Sequence, residues 1–178
     1  LASDGAQGNG ESWSHALSAD GRYVAFSSSS DNLVSGDTNM GFDVFVRDTM
    51  LNTTKRVSVS SSGEEGDGWS DKVSISTDGR YVAFSSWSVN LVSGYTNGLL
   101  HVFVRDTVLN TTTLVSVSSS GAQGNLNSTF LFYPTDKPSV SADGRYVAFT
   151  SYASNLVNED TNGVTDIFVH DTETKTTK

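Results

Sequence analysis

An all-β fold made of tandem four-stranded sheets is what this sequence predicts, and three observations carry the prediction. The motif S-x-D-G-R-Y-V-A-F occurs three times, at Ser18–Phe26, Ser76–Phe84 and Ser141–Phe149. Each copy is followed by the same programme: a serine-rich segment, N-L-V, a polar T-N loop and an apolar F-V run ending in Asp-Thr. The apolar runs are short, β-branched and bounded by Gly, Asp, Asn or Ser, which suits strands and not helices. The copies lie about 58 positions apart from Asp20 to Asp78 and about 65 from Asp78 to Asp143, the regularity of an array of like units. The extra positions of the second interval fall between Asn125 and Asp136.

The elements of one unit follow in order. In the third copy Pro138–Ser141 is the expected first strand. Ala142-Asp143-Gly144 then turns the chain, with glycine where a tight hairpin needs positive φ. Arg145–Thr150 is the second strand, and its apolar residues fall on both faces, as a sheet packed between two others requires. Asp166–His170 is the third, matching Asp43–Arg47 and His101–Arg105. In the first copy a polar hairpin, Asp48–Thr53, leads to Lys55–Ser60, read as a half-solvated outer strand blunted by Ser and Lys.

A four-stranded meander repeated in tandem is the pattern of β-propeller blades. The blades are expected at about 10–62, 68–120 and 136–178, within a single unit spanning 1–178, with residues 1–9 completing a last blade or joining a neighbouring chain. Three blades do not close, because propellers need about four to eight. The chain is therefore expected to form half of a six-bladed ring or part of a larger assembly. Its partner is itself, head to tail or as a fibre, or further blades of a longer chain.

Composition narrows the function. No cysteine is present, which removes disulfides and thiolate metal sites. A net charge of −9 argues against binding a phosphate backbone, so nucleic acid is not an expected partner. No apolar stretch approaches the roughly 18 residues of a membrane helix, and no span is expected.

Two loops attract metal chemistry. Asp37-Thr38-Asn39-Met40-Gly41-Phe42-Asp43 and Asp160-Thr161-Asn162-Gly163-Val164-Thr165-Asp166 place oxygen side chains at first, third and seventh positions about a glycine-containing turn. This is similar to the opening of a calcium loop. Asp37, Asn39, Asp43, Asp160, Asn162 and Asp166 are the candidate Ca2+ ligands, with Asn32, Asn155 and Glu159 nearby. The second copy keeps Thr96, Asn97 and Gly98 but has Tyr95 and His101 in place of the acids, so the turn itself does not need carboxylates. The alternative role of these Asp and Asn side chains is to hydrogen-bond the loop backbone.

Aromatic residues mark a second candidate surface. Phe130, Phe132 and Tyr133 lie in the extra segment, while Trp69 and Trp87, with Trp13, Tyr95 and Tyr152, occupy positions the other copies fill differently. Such residues dock a protein or glycan ligand, or cover the gap between blades. Asn52, Asn110 and Asn127 each open an N-x-[ST] glycosylation tripeptide.

The S-x-D-G-R-Y-V-A-F core, with F-V-R-D two strand-lengths later, resembles the WD-repeat-like blade of TolB-type propellers over essentially the whole chain. The expected function is a secreted or cell-surface module for protein binding or self-assembly, with calcium-stabilised loops. The alternatives are a periplasmic TolB-like adaptor that captures a protein or peptide at the ring's central mouth, and a glycan-binding propeller. Propellers joined to serine peptidases carry no triad themselves. Here His15, His101 and His170 sit at unlike repeat phases, and G-x-S-x-G is absent. The sequence is accordingly read as that of a protein without enzymatic activity.

Overall fold

The computed structural model describes residues 1–94, 97–128 and 136–178, and among these it contains strands and turns without a helix. The first sheet is β1 (Ser12–Leu17), β2 (Tyr23–Ser28), β3 (Asp43–Asp48) and β4 (Thr53–Arg56), in that order. The second is β5 (Ser70–Ile75), β6 (Tyr81–Ser86), β7 (His101–Asp106) and β8 (Thr111–Leu114). The third is β9 (Ser139–Val140), β10 (Tyr146–Ser151), β11 (Asp166–Asp171) and β12 (Thr176–Thr177). Every neighbouring pair is antiparallel, and β2–β3, β6–β7 and β10–β11 share one register.

The repeated motif is a set of polar locks. Ser18 Oγ donates to Asp20 Oδ1 (2.6 Å), which also accepts the Arg22 amide (3.0 Å), and Gly21 turns at φ 74° between them. Arg22 lies over the Tyr23 ring and makes a two-pronged bond to Asp48, the Asp of the Asp-Thr that ends the third strand. Asp48 Oδ1 in turn accepts the amides of Met50 and Leu51, both at 3.0 Å, so one carboxylate closes two turns. The hydrogen bond from Arg22 holds the Asp48 carboxyl down at about 2. Arg80–Asp106 and Arg145–Asp171 repeat the arrangement.

Packing between sheets supplies the core. The first strands meet, β1 against β5 and β5 against β9, which sets the sheets side by side around a shared inner edge. Val44 and Val46 of the first sheet face Val73, Phe84 and Phe103 of the second. Val102 and Val104 of the second face Val147, Phe149 and Phe168 of the third. Each such side chain contributes roughly 1.5–3 kcal/mol when fully buried.

The fourth strand departs from the sequence expectation. It ends at Arg56, and Val57, Ser58, Val59 and Ser60 are all buried instead of half-solvated. Ser58 is the cause: its Oγ accepts the Val44 amide (3.0 Å) and donates to Asp43 (2.5 Å), which turns the chain out of the sheet. The following residues then dock on the next sheet, where Thr112 Oγ1 donates to the Val59 carbonyl (2.5 Å) and Ser61 Oγ accepts the Thr112 amide (2.9 Å). Leu1 and Ser3 make the same contacts with Thr54 of β4, at 2.6 and 2.9 Å.

Candidate functional site

Three tryptophans from two sheets converge on one pocket of about 500 Å³ beside the inner strands. Trp13 lies on β1, Trp69 precedes β5, Trp87 follows β6, and Phe42 precedes β3. The Trp13 and Phe42 rings are 4.2 Å apart between centroids, and Trp69 meets Phe42 edge-on at 6.0 Å. Backbone bonds fix the group: the Ser70 amide donates to the Phe42 carbonyl (2.7 Å) and the Trp87 amide to the Trp69 carbonyl (3.0 Å). Gly41 leaves the room that Trp69 uses, since a Cβ there would stand 2.5 Å from Trp69 Cδ1. His15, Asp71, Lys72 and Lys137 place polar and charged groups around the aromatic wall.

Lys72 is unusual locally. It sits at φ 55° in a strand, on the bulge between Asp71 and Ser74, and it is buried. A non-glycine residue at positive φ is strained, and bulges re-aim side chains at strand edges and sites. The sequence marked Trp69, Trp87 and Trp13 as individual to their copies but gave no sign of Phe42 or Lys72. Both depend on contacts between repeats. Phe130, Phe132, Tyr133 and Tyr95 lie outside the described residues, and Tyr152 does not line this pocket.

The first candidate metal loop is brought together, with two residues the sequence did not assign. Asp37, Asp43 and Glu65 offer carboxylate oxygens within 4.8 Å of one another. Arg56 of β4 lies among them, 3.4 Å from Asp37 and 3.6 Å from Asp43, and pairs directly with Glu65. Asn39 turns its amide nitrogen, a donor, toward Asp43 (3.0 Å), while its Oδ1 accepts the Gly41 amide (2.8 Å). The donor set is therefore matched by a guanidinium from within the chain. Burial, then the neighbouring Asp43 carboxylate, push Asp37 up to about 6. Burial also raises Asp43, against the hydrogen bond from Ser58 and the attraction of Arg56.

The third loop has the Asn162–Asp166 bond (2.9 Å), but Asp160 joins no three-acid group among the described residues. Asn32 and Asn155 donate instead to the carbonyls of Gln7 and Gln123, tying each loop to the segment ahead of its sheet. In the second copy His101 occupies the place of Asp43. Ser116 Oγ accepts the Val102 amide and donates to His101 Nδ1 (2.6 Å), which leaves Nε2–H for Asn97 Oδ1 (3.2 Å). Burial lowers His101 to about 4, so it is neutral at pH 7. His170 is buried against Thr177, and His15 is exposed.

Asn52 and Asn110 are exposed at hairpin turns with φ 55° and 56°, and their Oδ1 atoms accept bonds from Arg47 and Arg105. Asn127 is exposed and its Oδ1 accepts the Leu100 amide, while Thr129 of its tripeptide lies outside the described residues. No described helix is long and apolar enough to cross a membrane.

No protein-family model and no curated protein matches the chain. Solved structures do. A putative TolB from Agrobacterium tumefaciens is 18% identical with a TM-score of 0.56, over 94% of this chain and 48% of that one. The tricorn protease is 15% identical with a TM-score of 0.55, over 93% of this chain and 14% of its own. The β-propeller domain of the Trilobed protease from Pyrococcus furiosus is 11% identical with a TM-score of 0.52, over 95% and 41%. The chain thus spans about half the length of the TolB it matches.

Proteases among these structures correct one expectation. The sequence predicts a protein without enzymatic activity, yet this fold is a part of enzymes such as the tricorn protease, so that exclusion does not stand; the fold by itself assigns no reaction. At these identities the likeness establishes architecture: the chain is an all-β, three-bladed portion of a β-propeller like those of TolB and the tricorn protease.

Proposed function

We propose that the chain is a protein-binding propeller module that holds an extended polypeptide segment against the aromatic pocket at its inner edge. The observation that carries this reading is the convergence of Trp13, Phe42, Trp69 and Trp87, with Asp71, Lys72, His15 and Lys137 around them. Aromatic walls bury apolar side chains and stack at low entropic cost, and the rim groups suit peptide amides and chain termini. The similar structures include proteases, enzymes that handle polypeptide, and this favours a peptide over a sugar for the same wall.

Titration of blocked, aromatic-rich hexapeptides, followed by tryptophan emission and calorimetry, tests the reading. Saturable binding that weakens about tenfold or more in Trp69→Ala, a loss of about 1.4 kcal/mol, is the expected result. Binding of oligosaccharides with none of peptides, or no binding of either, contradicts it.

A further inference from the structure

We infer that the outer face of the third sheet docks the first sheet of a second copy of this chain. The chain contains the template for that contact twice. Between the first and second sheets, the Tyr23 ring lies on Gly79, so closely that a Cβ on Gly79 would overlap it. Between the second and third, Tyr81 lies on Gly144 in the same way. Val44 and Val46, then Val102 and Val104, fill the layer beneath.

The two terminal faces hold the unmatched halves of this joint. On the third sheet Tyr146 takes the place of Tyr23 and Tyr81 and is exposed. Ile167, in the place of Val44 and Val102, is 76% exposed where those two are 0%. Val169 is exposed as well, and Ala148 is half-buried where Ala25 and Ala83 are fully buried. On the first sheet Gly21 has nothing within 4 Å of where a Cβ would stand, although Gly79 and Gly144 are each covered by a tyrosine. Leu17 is exposed beside it, and Val24 and Phe26 are half-buried where Val82, Phe84, Val147 and Phe149 are buried.

Each open face therefore lacks what the other presents: a tyrosine over a bare glycine, and branched aliphatic side chains against a Val and Phe surface. A second copy supplies both in the geometry already used within the chain. Two copies bring the number of sheets to six, inside the range of about four to eight at which such sheets close on themselves.

Light scattering coupled to size exclusion tests the contact with three variants. The unaltered chain is expected to run with the mass of two copies, or as an open series of copies through the same face. Gly21→Ala and Tyr146→Ala each shift it to the mass of one copy. Gly36→Ala, whose φ of 75° strains an alanine as Gly21 does and which is equally open, keeps the assembly. A one-copy mass for the unaltered chain at the highest clear concentration overturns the inference and leaves these faces to further blades in a longer polypeptide. Assembly that persists in both Gly21→Ala and Tyr146→Ala overturns it as well.

Discussion

At the residue scale, one position of the repeat is filled by two chemistries, a carboxylate and an imidazole, without losing its loop. Asp43, His101 and Asp166 each anchor the turn before the third strand, with Asn39, Asn97 and Asn162 as partners. The spacing of oxygen side chains was legible in the sequence. The guanidinium of Arg56 among the first set was not, because it comes from another strand of the sheet. Arg56→Gln leaves three close carboxylates without their cation and is expected to cost about 3–5 kcal/mol, as removal of one partner of a buried ion pair does. Added calcium recovers part of that loss in the variant, and denaturant melts with and without calcium measure both effects; unchanged stability in the variant contradicts the role given to Arg56.

Asp37 gives a pH-dependent test of the same cluster. Its carboxyl is raised to about 6 from an unfolded value near 4, so its contribution is present below about pH 4 and is lost as pH rises through about 6. His101 works oppositely in an overlapping window: its folded value of about 4 contributes stability above about 6.5 that is lost as pH falls. A bare pH scan mixes the two, and a variant separates them. Asp37→Asn, which imitates the protonated acid, is expected to gain on the order of 1 kcal/mol at about pH 8 and little at about pH 4, the gain being limited by solvent screening. Equal changes at both pH values, measured by thermal melts, contradict the assignment.

At the element scale, what the sequence made plain was whatever each repeat does for itself. The S-x-D-G turn and the second and third strands follow from local patterns seen three times, and the structure adds the register those strands share. The fourth strand was misplaced because Ser58 replaces a ladder bond with a side-chain bond, and alternation of Val and Ser looks the same in either case. The bulge that carries Lys72 was equally silent. The joint between sheets predicts a contrast between two glycines of like backbone. Gly79→Ala, at φ 78° under Tyr23, should cost roughly 2–4 kcal/mol by strain and overlap together, whereas Gly63→Ala, at φ 88° in open space, should cost roughly 1. Similar losses for the two in urea melts would mean that the Tyr23 contact contributes little.

At the scale of the whole molecule, repetition and difference divide the work. The repeated positions build the sheets and the layers between them, and three of the unrepeated ones, Trp13, Trp69 and Trp87, gather where the first and second sheets meet at their inner edge. Trp13 stands where the second copy has Asp71, and Trp69 where the third copy has Asn127. Each was visible as an exception in its own repeat, but their meeting is a property of two sheets side by side and of the space left by Gly41. That meeting place is the central functional claim, and a crystal structure of the chain with a bound aromatic-rich peptide tests it most directly. Peptide lying across Trp13 and Trp69, with its polar groups toward Asp71 and Lys72, is the predicted result. Peptide bound at the outer strands with the pocket unaltered would contradict it.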